Sequence, residues 1–248
     1  MENQKTAWVI GVNQGIGFTL MHFLINKGIR VIGIDKSLDN ITPEIQKTCY
    51  ICDVSDEQQI VSLCEKLLTK EPPHYFIHVA GVLHSGKHDE ISSLMLQETF
   101  TVNFFSPFHF LKKLSPYLRV RKFGSIVLVS SNAAHTPRLG LSVYGASKAA
   151  LTSFAKVVAL ELAQYGVRVN IVSPGSTATP MLHQLWTDKT SMEKTLNGDM
   201  STFRLGIPLK KIASTEDVCN AIFFLLSDEA KHITMHDLVI DGGATLGR

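Results

Sequence analysis

The stretch Thr6-Ala-Trp-Val-Ile-Gly11-Val-Asn13-Gln14-Gly15-Ile16-Gly17 decides the fold. The apolar run Thr6–Gly11 predicts a strand, and the pattern over Ile16–Lys27 predicts a helix directly after it. Glycines between a strand and a helix let the backbone turn tightly and approach a pyrophosphate. The helix start adds free N–H groups and a positive dipole end. Glycine spacing alone carries little information. Here the next apolar run, Arg30–Asp35, ends in an acid 18 residues beyond Gly17, where a ribose-binding carboxylate is expected. Asp35 can accept hydrogen bonds from both adenosine ribose hydroxyls and would repel a 2′-phosphate. No basic residue stands among Val12, Asn13 and Gln14 to receive that phosphate, although Lys36 follows the acid. The predicted dinucleotide contacts are Gly11, Asn13, Gln14, Gly15, Ile16, Gly17, Asp35 and Lys36. The expected cofactor is NAD rather than NADP.

The same alternation continues to the end of the chain. Strand-like runs follow at Thr48–Asp53, Tyr75–Ala80, Ser125–Ser130, Arg168–Ser173 and Leu238–Asp241. Helical patterns lie between them over Asp56–Lys70, Glu98–Arg121, Tyr144–Tyr165 and Thr215–Leu226. Strands this apolar, separated by helices, predict an α/β doubly wound sheet buried on both faces. No linker or repeat divides residues 1–248, so one domain is expected. The least regular stretch, 177–208, carries Met181, Trp186, Met192, Met200 and Phe203 among polar residues and reads as a lid over a site. An ordinary surface excursion is the plainer alternative.

Composition narrows the function. With 24 Lys plus Arg against 22 Asp plus Glu, the net charge of the 248-residue chain is only +2, little reason to expect nucleic acid or an anionic membrane as partner. A mean hydropathy of +0.12 suits a buried parallel sheet, and no run of about 20 apolar residues predicts a membrane span. The opening Met1-Glu-Asn-Gln-Lys5 has no signal-peptide core, so a cytoplasmic location is expected. Cys49 and Cys52 form a C-x-x-C, but residues three apart on a strand face opposite ways. With Cys64 and Cys219 they read as buried structural thiols. The His84/His88 and His232/His236 pairs have no H-E-x-x-H context, so no metal is expected.

A second motif, Tyr144-Gly-Ala-Ser-Lys148, places a phenol and an ammonium on one helix face. The cation favours the phenolate, making a base able to take a proton from an alcohol. Y-x-x-x-K is common by itself. Here Ser131 ends the preceding strand thirteen residues earlier, at the sheet's carboxyl edge, where such sheets hold their sites.

Glycine loop, Asp35, Ala80-Gly81 after the fourth strand, Asn103, Ser131, Tyr144, Lys148 and Pro174-Gly175, in that order, resemble the classical short-chain dehydrogenase/reductase family over essentially the whole chain. The resemblance implies a single Rossmann-type domain with seven parallel strands in the order 3-2-1-4-5-6-7 and a nicotinamide cofactor. It also implies catalytic roles. Tyr144 is the acid/base, Lys148 lowers its pKa and holds the nicotinamide ribose, Ser131 orients the substrate oxygen, and Asn103 holds a relay water. Asp53 and Val54 flank the adenine. Ala80, Gly81, Pro174, Gly175, Thr177 and Thr179 join Tyr144 and Lys148 along the cofactor. Two positions depart from the family: Ile10 replaces the usual Thr before the first glycine, and His78-Val79 replaces Asn-Asn before Ala80-Gly81. The loops beside the cofactor must therefore be braced differently.

Within the family, Ser131-Asn-Ala-Ala-His135-Thr-Pro-Arg138 through Lys148 is similar to the bacterial dehydrogenases acting on 2,3-dihydro-2,3-dihydroxybenzoate. So are Ser173–Thr179, Leu205-Gly-Ile-Pro-Leu209, His232-Ile-Thr234 and Asp241-Gly-Gly. This likeness implies a small carboxylate dihydrodiol substrate, a place in siderophore biosynthesis and contact with neighbouring enzymes of that pathway. Ser131, Tyr144, Arg138 and His135 are then the expected substrate contacts, with Met181 and Trp186 covering the ring. The family further implies a homotetramer packed through its long helices, and Phe100, Phe104, Phe105, Phe108 and Phe110 make the first of these unusually aromatic. Two other readings stay open: a reductase of another carbonyl compound such as a 3-oxoacyl thioester, against which Asp35 counts, and a nicotinamide-sensing protein without turnover.

Overall fold

Alternation along the first strand sets the layers. In the computed structural model, which describes residues 4–186 and 189–247, β1 (Thr6–Ile10) is buried along its whole length. Trp8 and Ile10 pack into one core with Leu63 and Leu67, Leu111 and Leu114, and Leu151 and Leu162. Ala7 and Val9 pack into the other with Leu20, Met21 and Leu24, and Val218, Ile222 and Leu225. One strand therefore feeds two helix layers, as a period of two requires.

The remaining strands are β2 (Arg30–Asp35), β3 (Cys49–Ile51), β4 (Tyr75–His78), β5 (Gly124–Val129), β6 (Val167–Pro174) and β7 (Asp237–Ile240). They form one seven-stranded sheet in the order β3-β2-β1-β4-β5-β6-β7, and every pairing is parallel. The expected order and class are both observed. Helices α1 (Gly15–Asn26) and α9 (Thr215–Leu226) cover one face; α3 (Glu57–Lys70), α5 (Ser106–Arg121) and α6 (Ser142–Ala163) cover the other.

Three short helices went unread in the sequence: α2 (Pro43–Gln46), α7 (Pro180–Gln184) and α8 (Ser191–Asn197). Each is too short for a hydrophobic period to register. The long helix also begins earlier than Glu98. Its first part, α4 (Ser93–Phe100), is started by the Ser92 hydroxyl, which accepts a hydrogen bond from Met95 N–H at 3.2 Å. Between α4 and α5, residues Thr101–Phe105 form a π-helical turn. Pro107 lies just beyond and has no N–H to give the Asn103 carbonyl four residues back, so the α-type ladder cannot run through this point.

Of the aromatic row, Phe110 is buried in the core, Phe104 and Phe108 pack on Phe154 of α6, and Phe105 is exposed. Cys52 and Cys49 sit on opposite faces of the sheet, as their spacing predicts; Cys49 is only half-buried. Burial raises the thiol of Cys52 to about 11 and those of Cys64 and Cys219 to about 12, which keeps them protonated and unreactive. On β6, the Arg168 guanidinium donates to the carbonyls of Leu225, Leu226, Ser227 and Ile233. It thereby satisfies the orphan carbonyls at the end of α9 and pins that helix to the sheet. Among the described residues no helix is long and apolar enough to cross a membrane.

Candidate active site

The chain order reverses between β1 and β4, so the carboxyl ends of these strands open a crevice. A cleft of about 840 Å³ lies there, reaching from Asp35 and Asp53 at one end to Arg138 and Trp186 at the other. Its floor depends on glycine. Gly11 has φ +94°, and a Cβ there would stand 2.7 Å from Ala80 N. A Cβ on Gly17 would stand 1.8 Å from the Gly11 carbonyl oxygen. Gly17 is thus the joint that seats the loop on α1. Contrary to expectation it does not itself line the cleft, because it is buried beneath the turn.

Gly11, Asn13, Gln14, Gly15 and Ile16 do line the cleft, as do Lys36, Val54, Ala80, Gly81, Pro174, Gly175, Thr177 and Thr179. One oxygen of Asp35 accepts the Asn13 N–H at 2.9 Å. The Asn13 side chain in turn accepts Asn40 N–H at 3.0 Å. Asp53 holds the Ser55 N–H and hydroxyl at 2.9 and 2.7 Å. An acid beside a helix start and a glycine wall, in a cleft of this size, fits an extended dinucleotide.

Deeper in the cleft, Ser131, Tyr144 and Lys148 are 8%, 8% and 3% exposed. Ser131 follows β5; Tyr144 and Lys148 lie one turn apart on α6. The Lys148 ammonium donates to the Val129 carbonyl at 2.9 Å and stands 5.9 Å from the centre of the Tyr144 ring. Burial pushes Lys148 down to about 8. Burial also raises the Tyr144 phenol above its ordinary value, and the Ser131 hydroxyl pulls it partly back. This differs from the expected lowering by Lys148: the phenol is dry, and the ammonium is turned to a backbone carbonyl.

Asn103, in the π turn, is 1% exposed and does not line the cleft. Its amide clamps Val82, accepting its N–H at 2.9 Å and donating to its carbonyl at 3.0 Å, and also donates to Ser147 Oγ at 3.0 Å. Asn103 therefore ties the strand-four loop to α6 next to Lys148. A Cβ on Gly81 would come within 3.4 Å of Lys148 Nζ.

At the far end, Met181, Leu182 and Trp186 line the cleft from α7 and the residues after it. The lid stretch is more ordered than its sequence suggests: the Thr179 hydroxyl caps α7, α8 follows, and Asp199 pairs with Arg204 in a tight hairpin. Thr187 and Asp188, inside the expected lid, lie outside the described residues. Arg138 is half-buried in the cleft wall, its Nη2 donating to the Ala244 carbonyl at 3.5 Å. Ala244 belongs to a C-terminal strap. Asp241 accepts from Asn132 Nδ2 at 3.3 Å and from Thr245 Oγ1 at 2.7 Å, so the strap joins the loop after β5.

His135, expected among the substrate contacts, is exposed and does not line the cleft; its Nε2 is bonded to Asp237 at 2.6 Å, which ties the loop to β7. Arg204 is the residue that sequence reading missed. It lines the cleft from the 199–204 hairpin, where the spacing of the cations carries no signal.

A family model described as enoyl-(acyl carrier protein) reductase matches residues 11–245. The 2,3-dihydro-2,3-dihydroxybenzoate dehydrogenase of Escherichia coli K12 is 42% identical over 244 residues, covering 98% of each chain. The chain belongs to the short-chain dehydrogenase/reductase family. The enzyme of the same name from Bacillus subtilis 168 is 39% identical over 252 residues, covering 98% and 97% of the two chains. Among solved structures, a 4-hydroxyisoleucine dehydrogenase mutant complexed with NADH and succinate superposes with a TM-score of 0.90 at 27% identity, covering 98% of this chain and all of that one.

The two departures from the usual short-chain dehydrogenase pattern now have a structural account. With Ile10 in the core, the glycine loop is braced by the Asp35–Asn13–Asn40 chain instead. His78 is 2% exposed and bonds Ser106 Oγ at 2.7 Å, bracing β4 against the start of α5 just past the π turn. Burial, then the charge of Lys148, pushes His78 down to about 3. The sign follows directly. Between about pH 6.5 and 3 the unfolded chain takes a proton on this ring that the folded protein cannot, so stability falls with falling pH across that window. Each pH unit costs about 1.4 kcal/mol. Urea unfolding at pH 7 and pH 5 should therefore show a steeper acid loss for the native protein than for His78→Asn, by about 2 kcal/mol. Equal losses would mean that His78 can protonate in place.

Proposed function

We propose that the protein is an NAD-dependent dehydrogenase that oxidises 2,3-dihydro-2,3-dihydroxybenzoate to 2,3-dihydroxybenzoate, acting in the cytoplasm in catecholate siderophore biosynthesis. The observation that carries this reading is chemical. One cleft contains a buried Ser131–Tyr144–Lys148 set and a half-buried arginine, Arg138, with no carboxylate at ion-pair distance among the described residues. A base for an alcohol beside a cation for a carboxylate matches a hydroxylated ring acid. The relatives carrying that substrate's name align end to end, and the NADH named for the structural neighbour supports a nicotinamide cofactor.

In this reading Asp35 receives the adenosine ribose hydroxyls and disfavours a 2′-phosphate, which selects NAD. Asp53 and Val54 border the adenine; Ala80, Gly81, Pro174, Gly175, Thr177 and Thr179 border the rest. When bound, the nicotinamide supplies the hydride acceptor. Ser131 and Tyr144 hold one ring hydroxyl, and the Tyr144 phenolate takes its proton as hydride leaves the same carbon. Lys148 stabilises that phenolate by its charge, and Asn103 keeps α6 and the strand-four loop in register around it. The ring ketone so formed loses a ring proton and gains one on oxygen, giving the aromatic catechol, which makes the oxidation strongly downhill. Met181 and Trp186 exclude water from above the ring. The exposed Leu94, Phe105, Val157 and Leu160 on α4, the π turn and α6 support a homotetramer built on these helices.

The test is a spectrophotometric assay with the dihydrodiol and either NAD or NADP, following reduced nicotinamide and catechol fluorescence. NAD-linked turnover at least tenfold more efficient than NADP-linked turnover is expected. Absence of turnover in protein that binds NADH would overturn the substrate, and a preference for NADP would overturn the role of Asp35.

A further inference from the structure

The lid carries a second cation that the reading above does not use. Arg204 closes the hairpin begun at Asp199: Asp199 N–H donates to the Arg204 carbonyl at 2.8 Å and Arg204 N–H returns a bond at 3.0 Å. The hairpin fixes the backbone of Arg204 and aims its side chain back across the cleft, where Nη2 donates to Ser176 Oγ at 2.9 Å. Ser176 sits in the loop after β6, so Arg204 bridges the lid to the edge of the sheet. The Asp199 carboxylate, held by the Ser201 N–H and hydroxyl at 2.9 and 2.5 Å, makes no ion pair with Arg204 and acts on it only through space, raising its pKa by less than burial and Arg138 lower it.

Arg204 therefore shares a cleft with Arg138, both half-buried, and among the described residues neither has a carboxylate at ion-pair distance. Burial, and after it the charge of Arg138, holds Arg204 below the ordinary guanidinium value. Two guanidiniums facing one partly dry cleft repel, and each gives up hydration to be there. A bond to a neutral serine hydroxyl needs neither the charge nor the fork-shaped donor set that an arginine brings. A planar anion between the two would use both, because each guanidinium presents paired N–H donors that match a carboxylate.

We propose that Arg204 is a second cation for the substrate carboxylate, borne on the 199–204 hairpin and acting with Arg138 in the same cleft. This rests on the reading of the substrate as a ring carboxylate and adds how it is recognised. Arg138 is anchored by the C-terminal strap and waits in place. Arg204 is carried by the hairpin and held by Ser176, and an anionic ligand gives its charge a partner that the serine hydroxyl does not. Neutral diols that fit the ring pocket leave that repulsion offset only through space by Asp199 and Asp241, and are discriminated against.

The experiment compares two aromatic probes, 2,3-dihydroxybenzoate and catechol, which differ only in the carboxylate. Their dissociation constants are measured by fluorescence on the NADH-loaded protein, and the NADH constant is measured alongside. Native protein should bind 2,3-dihydroxybenzoate far more tightly than catechol. Arg204→Gln should weaken 2,3-dihydroxybenzoate by about 10- to 100-fold and catechol by less than about 3-fold, with NADH unchanged. Arg204→Lys should recover part of the loss, since it restores charge without the fork. Arg138→Gln should cost a similar factor.

Equal weakening of both probes by Arg204→Gln would make Arg204 a structural strap and overturn the proposal. So would a parallel loss of NADH binding, which would assign Arg204 to the dinucleotide phosphates. If native protein already binds both probes alike, the carboxylate reading fails at its root, before any variant is considered. If native protein prefers the carboxylate and Arg204→Gln keeps that preference, only Arg204 is excluded.

Discussion

Tyr144→Phe is expected to lower kcat for NAD-linked oxidation by about 10²- to 10⁴-fold, the range that a positioned general base supplies, while the dissociation constant for NADH stays within about 2-fold. The substitution removes one oxygen from a side chain that is 8% exposed and leaves its ring packing intact. No other proton acceptor stands in its place: the Ser131 hydroxyl is an ordinary alcohol that already accepts from Ala133 N–H at 3.1 Å. Stopped-flow measurement of the hydride step separates this from slowed product release. A Tyr144→Phe variant with native kcat would remove Tyr144 as the base and with it the mechanism.

Lys148→Met should move the alkaline rise of kcat/KM upward by about 2 pH units. The sign comes from charge: the ammonium favours the phenolate, so its loss makes Tyr144 harder to ionise. The size comes from Coulomb's law. A unit charge about 6 Å from the ring, at an effective dielectric constant of about 20, is worth about 3 kcal/mol, or roughly 2 pKa units. In the resting structure the ammonium faces the Val129 carbonyl and burial dominates the phenol, so the shift reads the charge that the phenolate meets in turnover. Since burial brings Lys148 itself to about 8, its help fades above that pH. The native profile should therefore level off near pH 8, as two coupled groups titrating together would give. Profiles measured over pH 6–10 that rise in parallel for both proteins would show that Lys148 serves structure alone.

Most of the nucleotide half was legible because its chemistry is local. The glycines, the helix start and Asp35 sit within one βαβ unit, so spacing in the chain reproduces spacing in the fold. The strands were legible for the same reason, each marked by a short apolar run with helices between. The substrate half was harder. Arg204 and Arg138 line one cleft only because the stretch 177–208 folds back over the sheet edge, and nothing in the residues near Arg204 signals that return. Closeness of His135 to Ser131 in the chain said nothing of direction: after a 3₁₀ turn over Asn132–Ala134 its ring is bonded to Asp237. Gly17 serves the loop itself, since a Cβ there would stand 1.8 Å from the Gly11 carbonyl oxygen.

The strap formed by Asp241, Ala244 and Thr245 has a consequence for how the protein is made. The wall that holds Arg138 is completed by the Ala244 carbonyl, and Asn132 is fastened by Asp241. A chain leaving the ribosome exposes the glycine loop, Asp35 and β4 long before these residues exist. The cleft wall around Arg138 is therefore complete only when β7 has docked beside β6. A chain that stopped before residue 237 would lack both the Ala244 carbonyl against Arg138 and the Asp241 carboxylate against Asn132.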